Sequence, residues 1–167
     1  MAGMQAEETG MGGRVEARLA ELGIALPRPV APVANYVAFV AVGGTIVLSG
    51  QLPMQDGAVA VRGRLGADVS AEEGSRGAAL CLVNLLAQLR EACGGDLDRV
   101  VRVVRLGGFI AATPEFTAHA AVMNGASDLA VAVFGDAGRH ARSTVGVASL
   151  PLGAAVEVEG MFEIAAG

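Results

Sequence analysis

Apolar residues recur along the chain at two spacings, one helical and one alternating, and their order sets out the elements. Val15, Leu19 and Leu22 fall on a helical spacing that stops at Gly23, which predicts a short amphipathic helix over 14–22. Pro27, Pro29 and Pro32 then impose an extended lead-in. Two β-rich runs follow, 36–42 and 45–51, joined by Gly43-Gly44. A two-residue hairpin loop pairs Val42 with Thr45, and so sets Tyr36 opposite Gln51 and Val37 opposite Gly50. A short third strand is expected at 59–61, after the Asp56-Gly57 turn.

Ser70 and Glu73 form a capping box ahead of apolar positions 79, 82, 83, 86, 89 and 93, which marks the strongest helix, ended by Gly94-Gly95. The Val-rich run 99–110 favours a buried strand. Thr113-Pro114-Glu115 reads as the start of a second helix, with Thr as cap and Pro at the first helical position. That helix passes Asn124-Gly125, with a restart at Ser127, and closes by Gly135. A strand over 141–148, a turn over 150–153 and a strictly alternating strand over 156–164 complete the chain. The order ββ(β)αβαββ predicts one α+β domain, 14–167, with two helices packed on one face of a sheet. Residues 1–13, polar and Gly-rich, read as a flexible tail.

Composition adjusts this picture in three ways. Apolar residues reach 53% with only 4% aromatic, so the core is built from Ala, Val and Leu, and some apolar surface is expected to be hidden between subunits. Twelve basic against seventeen acidic residues give a net charge of −5, which argues against a nucleic-acid partner. No charge occurs between Arg28 and Asp56, but prolines, Asn35 and Gly43-Gly44 interrupt the stretch, so it reads as a hairpin and not a membrane span. With no apolar leader near Glu7 and Glu8, a soluble cytoplasmic protein is expected. Cys81 and Cys93 sit about 18 Å apart along one helix, too far for a bridge.

Common catalytic signatures are missing. His119 and His140 have no ligand spacing with each other or with a cysteine, so surface or structural roles are expected and no metal site is assigned. Arg99, Arg102 and Arg105 are three apart on a strand, which places Arg102 on the face opposite the other two. In the last strand Glu157, Glu159 and Glu163 share one face, and an antiparallel pairing with the preceding strand would bring Arg142 near one of them.

Four separated blocks, in order across 32–164, resemble the Rid (YjgF) family: Asn35-Tyr36-Val37, then Ser49-Gly50-Gln51-Leu52-Pro53, then His140-Ala141-Arg142-Ser143-Thr144-Val145-Gly146-Val147, then Leu150-Pro151 with Val156-Glu157-Val158-Glu159. Extra residues around 135–139 and the N-terminal helix suggest a longer branch. The resemblance implies a chorismate-mutase-like α+β fold, a homotrimer with clefts between subunits, and hydrolysis of reactive enamines and imines such as 2-aminoacrylate to 2-keto acids and ammonia. It implies no metal and no organic cofactor. It places the carboxylate-gripping arginine at Arg142, the cleft tyrosine at Tyr36, the cleft Ser-Gly at Ser49 and Gly50, the strand glutamate at Glu157 and a cleft asparagine at Asn124. Two departures are Thr144, where a cysteine is common, and Gly146, where the deaminases carry a larger residue. The alternative expectation is a non-catalytic trimer that binds a small carboxylate or an interaction partner through the same cleft. An endoribonuclease reading is weakest, since the chain lacks a basic groove.

Overall fold

The computed structural model describes residues 13–32 and 35–166. Its elements are α1 (Arg14–Glu21), β1 (Phe39–Val42), β2 (Thr45–Gln51), β3 (Met54–Gln55), β4 (Ala58–Val59), α2 (Ala71–Ala92), β5 (Val100–Ala111), α3 (His119–Phe134), β6 (Ala141–Val147) and β7 (Val156–Ile164). The segment read as a flexible tail falls, apart from Gly13, outside the described residues. Five strands form one sheet in the order β1-β2-β7-β5-β6, antiparallel except for the parallel pair β5–β6. α2 and α3 cover one face of it, and the core lies between them and Ile46, Leu48, Leu106, Ile110, Val156, Val158 and Phe162.

Local signals produced the elements they promised. Ser70 accepts from the Glu73 N–H at 3.1 Å while the Glu73 carboxylate accepts from the Ser70 N–H at 2.8 Å. The Gly43-Gly44 turn has both glycines at positive φ, and it pairs Val42 with Thr45 as expected. Strand β7 alternates as read, with Val156, Val158 and Phe162 buried.

Non-local expectations fared differently. Pairing of β1 with β2 begins at Phe39, so Tyr36 and Val37 lie outside the strand; Ser49 Oγ instead donates to the Val37 carbonyl at 2.7 Å. The third strand does not join the main sheet: Ala58–Val59 pairs with Met54–Gln55 in a separate hairpin. α3 starts at His119 and not at Thr113-Pro114-Glu115, because the Thr113 N–H is spent on the Leu65 carbonyl and Thr113 accepts from Phe116 in a turn. It then runs unbroken through Asn124-Gly125, where a Cβ at Gly125 would collide with the Ser75 carbonyl of α2, so this glycine allows close helix contact rather than interrupting the helix.

The last two strands are not a hairpin. β6 lies at the sheet edge beside β5, and β5 separates it from β7, so the expected approach of Arg142 to the β7 carboxylates does not occur. A second correction concerns the arginines. Irregular pairing between Val103 and Arg105 leaves Arg102 opposite Glu163 and Arg105 opposite Met161, positions two apart on β7, so both arginines share one face.

α1 has no side-chain cap of its own at Gly13. Asp98 supplies one from a distance, accepting from the Arg14 and Val15 N–H groups at 2.8 Å each. These two bonds hold the Asp98 carboxyl below its ordinary range. Glu16, Asp96 and Asp98 bring carboxylate oxygens within 4.8 Å of one another; Asp98 caps α1, Asp96 accepts the Asp98 N–H at 2.9 Å, and the buried Glu16 carboxylate has no hydrogen-bond partner among the described residues. Asp98→Ala is expected to cost about 1 kcal/mol. Because folding depresses this carboxyl, its contribution is present above the ordinary aspartate value and lost as the pH falls through the depressed one. Urea denaturation of both proteins at pH 7 and pH 3 checks this: the gap between them should narrow at the lower pH.

Among the described residues, no helix is long and apolar enough to cross a membrane.

Candidate functional site

The residues singled out in the sequence divide between the two faces of the sheet. Arg142, Thr144 and Gly146 alternate along β6 and pair with Leu106, Gly108 and Ile110. Leu106 and Ile110 are fully buried under the helices, a Cβ at Gly108 would meet Met123 Sδ at 2.6 Å, and one at Gly146 would meet His119 Nε2 at 2.5 Å. This strip therefore faces α3. Asn124 lies on α3 across from it.

Arg142 is held by that helix. Its Nη1 donates to Asn124 Oδ1 at 2.9 Å and to Ser127 Oγ at 3.1 Å, which uses both Nη1 hydrogens. Asn124 and Ser127 are three apart on one helix face, which is why a single nitrogen reaches both. Among the described residues no carboxylate stands within ion-pair distance of Arg142, and no bond is made by its Nε or Nη2. That edge of the guanidinium carries two parallel N–H bonds in the geometry that receives a carboxylate. Thr144, two residues along, has a buried hydroxyl without a hydrogen-bond partner. A buried hydroxyl left unpaired is costly, and Thr144 shares the face of β6 that carries Arg142.

Glu157 belongs to the other face. It pairs with Phe109, one strand step from Gly108 and Ile110, and so points away from the helices. The pairing of β2 with β7 is irregular between Leu48 and Gln51, and the Glu157 carboxylate lies over Gly50 where a Cβ would stand. Gly50 is therefore a close-approach glycine. Ser49 shares a shallow groove with Tyr36, Val37, Val40, Val47 and Glu159, and Tyr36 is 57% exposed. Glu159 itself pairs with Arg105 at 3.2 Å, both partly exposed. Within one chain, then, Tyr36, Ser49, Gly50 and Glu157 gather on the open face, while Arg142, Asn124 and Thr144 gather at the edge beside α3.

Partial burial, reinforced by the charge of Glu159, raises the proton affinity of Glu157 above the ordinary glutamate range. The folded chain then holds more protons than the unfolded one between the ordinary value and the raised one. The contribution of Glu157 to stability is complete below the ordinary value and is lost as pH climbs through the raised one. Glu157→Gln should therefore raise the melting temperature at pH 7 and flatten the decline in stability above about pH 4.3. Thermal scans of both proteins from pH 4 to pH 8 check it, and an unchanged or lowered Tm at pH 7 would contradict the desolvation account.

Sequence reasoning did not find Ser127 or His140 as site residues. Ser127 Oγ lies 2.9 Å from His140 Nε2, and His140 Nδ1 lies 2.6 Å from the Gly138 carbonyl. The available signal was the i, i+3 spacing of Asn124 and Ser127 together with a histidine two residues before the arginine.

The family described as "YjgF/chorismate mutase-like, putative endoribonuclease" matches residues 16–163. The chain is 49% identical over 153 residues to Protein TCP17 of Trypanosoma cruzi, covering 91% of this chain and 95% of that protein. Among solved structures, a protein of unknown function from Agrobacterium tumefaciens is 48% identical with a TM-score of 0.85, covering 90% of this chain and 92% of the other. Another, carrying the same endoribonuclease description, comes from Shewanella oneidensis; it is 35% identical with a TM-score of 0.87, covering 90% and 99%.

Proposed function

This chain belongs to the YjgF/Rid family, and on that premise we propose that it binds small 2-amino-enoate or 2-imino carboxylates and hydrolyses them to 2-keto acids and ammonia. The observation that carries the reading is the guanidinium of Arg142, fixed through Nη1 by Asn124 and Ser127 and open along its Nε–Nη2 edge. A planar fork held in this way grips a carboxylate in two bonds and sets the neighbouring carbon in a defined place. In the reaction, an enamine first takes a proton at C3 and becomes the imine; water adds to the C=N carbon, and the carbinolamine passes a proton to its nitrogen and expels ammonia, leaving the keto group. The raised proton affinity of Glu157 suits a group that passes a proton to the departing nitrogen or takes one from the water.

Arg142 and Glu157 lie on opposite faces of one sheet, so the proposed cleft is shared: one subunit supplies Arg142, Asn124 and Thr144, and its neighbour supplies Tyr36, Ser49, Gly50 and Glu157. Supporting this, the open face carries Val40, Val42, Val47 and Val145, all at least 40% exposed, which is an apolar surface suited to a second copy. Light scattering is expected to give a trimer, about three times 16.7 kDa; a clean monomer at micromolar concentration would remove the shared cleft.

Ammonia release from freshly generated 2-aminoacrylate tests turnover directly. Release at the uncatalysed rate by protein that still binds pyruvate in calorimetry would favour a carboxylate-binding protein without turnover. That second reading draws on Thr144 and Gly146, which stand where the deaminases carry cysteine and a larger residue.

A further inference from the structure

We propose that Ser127 and His140 form a positioning relay that holds Arg142 in its carboxylate-receiving orientation, an inference that rests on the carboxylate-binding reading above. The donors and acceptors fix the direction of every bond. The Gly138 carbonyl only accepts, so the His140 Nδ1, 2.6 Å away, carries the ring hydrogen and donates it. In the neutral imidazole Nε2 is then bare, and at 2.9 Å it accepts from the Ser127 hydroxyl. With its one hydrogen committed to His140, Ser127 Oγ presents lone pairs, and Arg142 Nη1 donates to it at 3.1 Å. The chain of bonds runs one way, from Arg142 through Ser127 and His140 to the backbone, with no donor facing a donor.

The anchor of this chain is well placed to be rigid. Gly138 is buried, and a Cβ there would collide with the Ala130 carbonyl, so the turn after α3 is seated against the helix and its carbonyl is fixed relative to Ser127. Asn124 holds the other hydrogen of the same Nη1. The two together settle both the position of that nitrogen and the plane of the guanidinium, which leaves the Nε–Nη2 edge without a partner among the described residues. A lone hydrogen bond to Asn124 would leave the plane free to rotate. His140 and Ser127 are thus positioning residues: neither needs to touch the ligand.

Two measurements test this. The first needs no ligand: nitrogen-15 spectra of the histidine side chains at pH 8 should show His140 protonated at Nδ1 and bare at Nε2. A ring protonated at Nε2 overturns the relay, because Ser127 could then no longer donate to it. The second is calorimetric titration with pyruvate on the oligomeric protein. Ser127→Ala and His140→Asn, the latter keeping a donor for Gly138 but losing the acceptor for Ser127, should each weaken binding about tenfold with melting temperature and oligomeric mass held. The double variant should be no weaker than either single one, since both break the same chain. Wild-type affinity in either single variant, or losses that multiply in the double, overturns the relay. If wild-type protein takes up no pyruvate, the carboxylate reading falls, and the tautomer alone then decides whether the relay exists.

Discussion

Arg142→Ala is expected to weaken binding of pyruvate by about a hundredfold, the loss of two charge-assisted hydrogen bonds, and to abolish any ammonia release. The mass in solution should not change, because the bonds of Arg142 run within its own chain, to Asn124 and Ser127. Arg142→Lys should lose most of the same affinity. An ammonium keeps the charge but cannot present two parallel N–H bonds, and it cannot be steadied at one nitrogen while binding through others. If Arg142 merely tied β6 to α3, both substitutions would cost about 1 kcal/mol of stability and leave binding untouched. Calorimetric titration of wild type and both variants separates these cases, and wild-type affinity in Arg142→Ala would refute the assignment.

Gly125→Ala should produce the largest loss of stability. In an exposed helix this exchange favours folding by about 1 kcal/mol, since glycine is the more flexible residue. Here the added Cβ would run into the Ser75 carbonyl on α2, a backbone atom that cannot swing aside, and the Ser75 hydroxyl lies close by as well. α3 would have to move away from α2 along a contact that joins both helices above the sheet. Forcing such an overpacked contact costs about 3 kcal/mol, so a net loss of about 2 kcal/mol is expected in urea denaturation. Asn124 and Ser127 flank the glycine on the same helix, so pyruvate affinity should fall as well. A stabilised Gly125→Ala variant would show that the helices are not in close contact there.

What could be read from the sequence was what neighbours in sequence decide. The Ser70–Glu73 box, the Gly43-Gly44 turn and the alternation of β7 depend on residues a few positions apart, and all three took their expected form. Strand order depends on contacts that no local pattern specifies. Nothing in β6 and β7 said that β5 would come between them, so Arg142 was placed beside carboxylates that lie across the sheet. Bulges have the same effect on a smaller scale, since one extra residue before Arg105 reversed the face assigned to it relative to Arg102. At Thr113 the cap signal was present, but the Leu65 carbonyl claimed the N–H and moved the helix start to His119. The roles of the candidate site residues came from the family resemblance, and Asn124 lies outside its four blocks. The relay behind Arg142 was not, because Ser127 and His140 are thirteen residues apart and meet only when the turn after α3 folds back.

Cys81, buried under β7 with its thiol donating weakly to the Val156 carbonyl at 3.6 Å, gives the protein an internal clock. Burial and the charge of Glu157 push this thiol well above the ordinary range, so it is protonated and shielded while the fold is closed. An alkylating reagent can reach it only when α2 parts from the sheet, and its labelling rate therefore reports how often the whole domain opens. Cys93 caps the C-terminus of the same helix, where fraying of a single turn suffices to release it. The two thiols lie at the middle and the end of one helix. Their labelling rates by one reagent, compared in a single sample, separate global opening from local fraying.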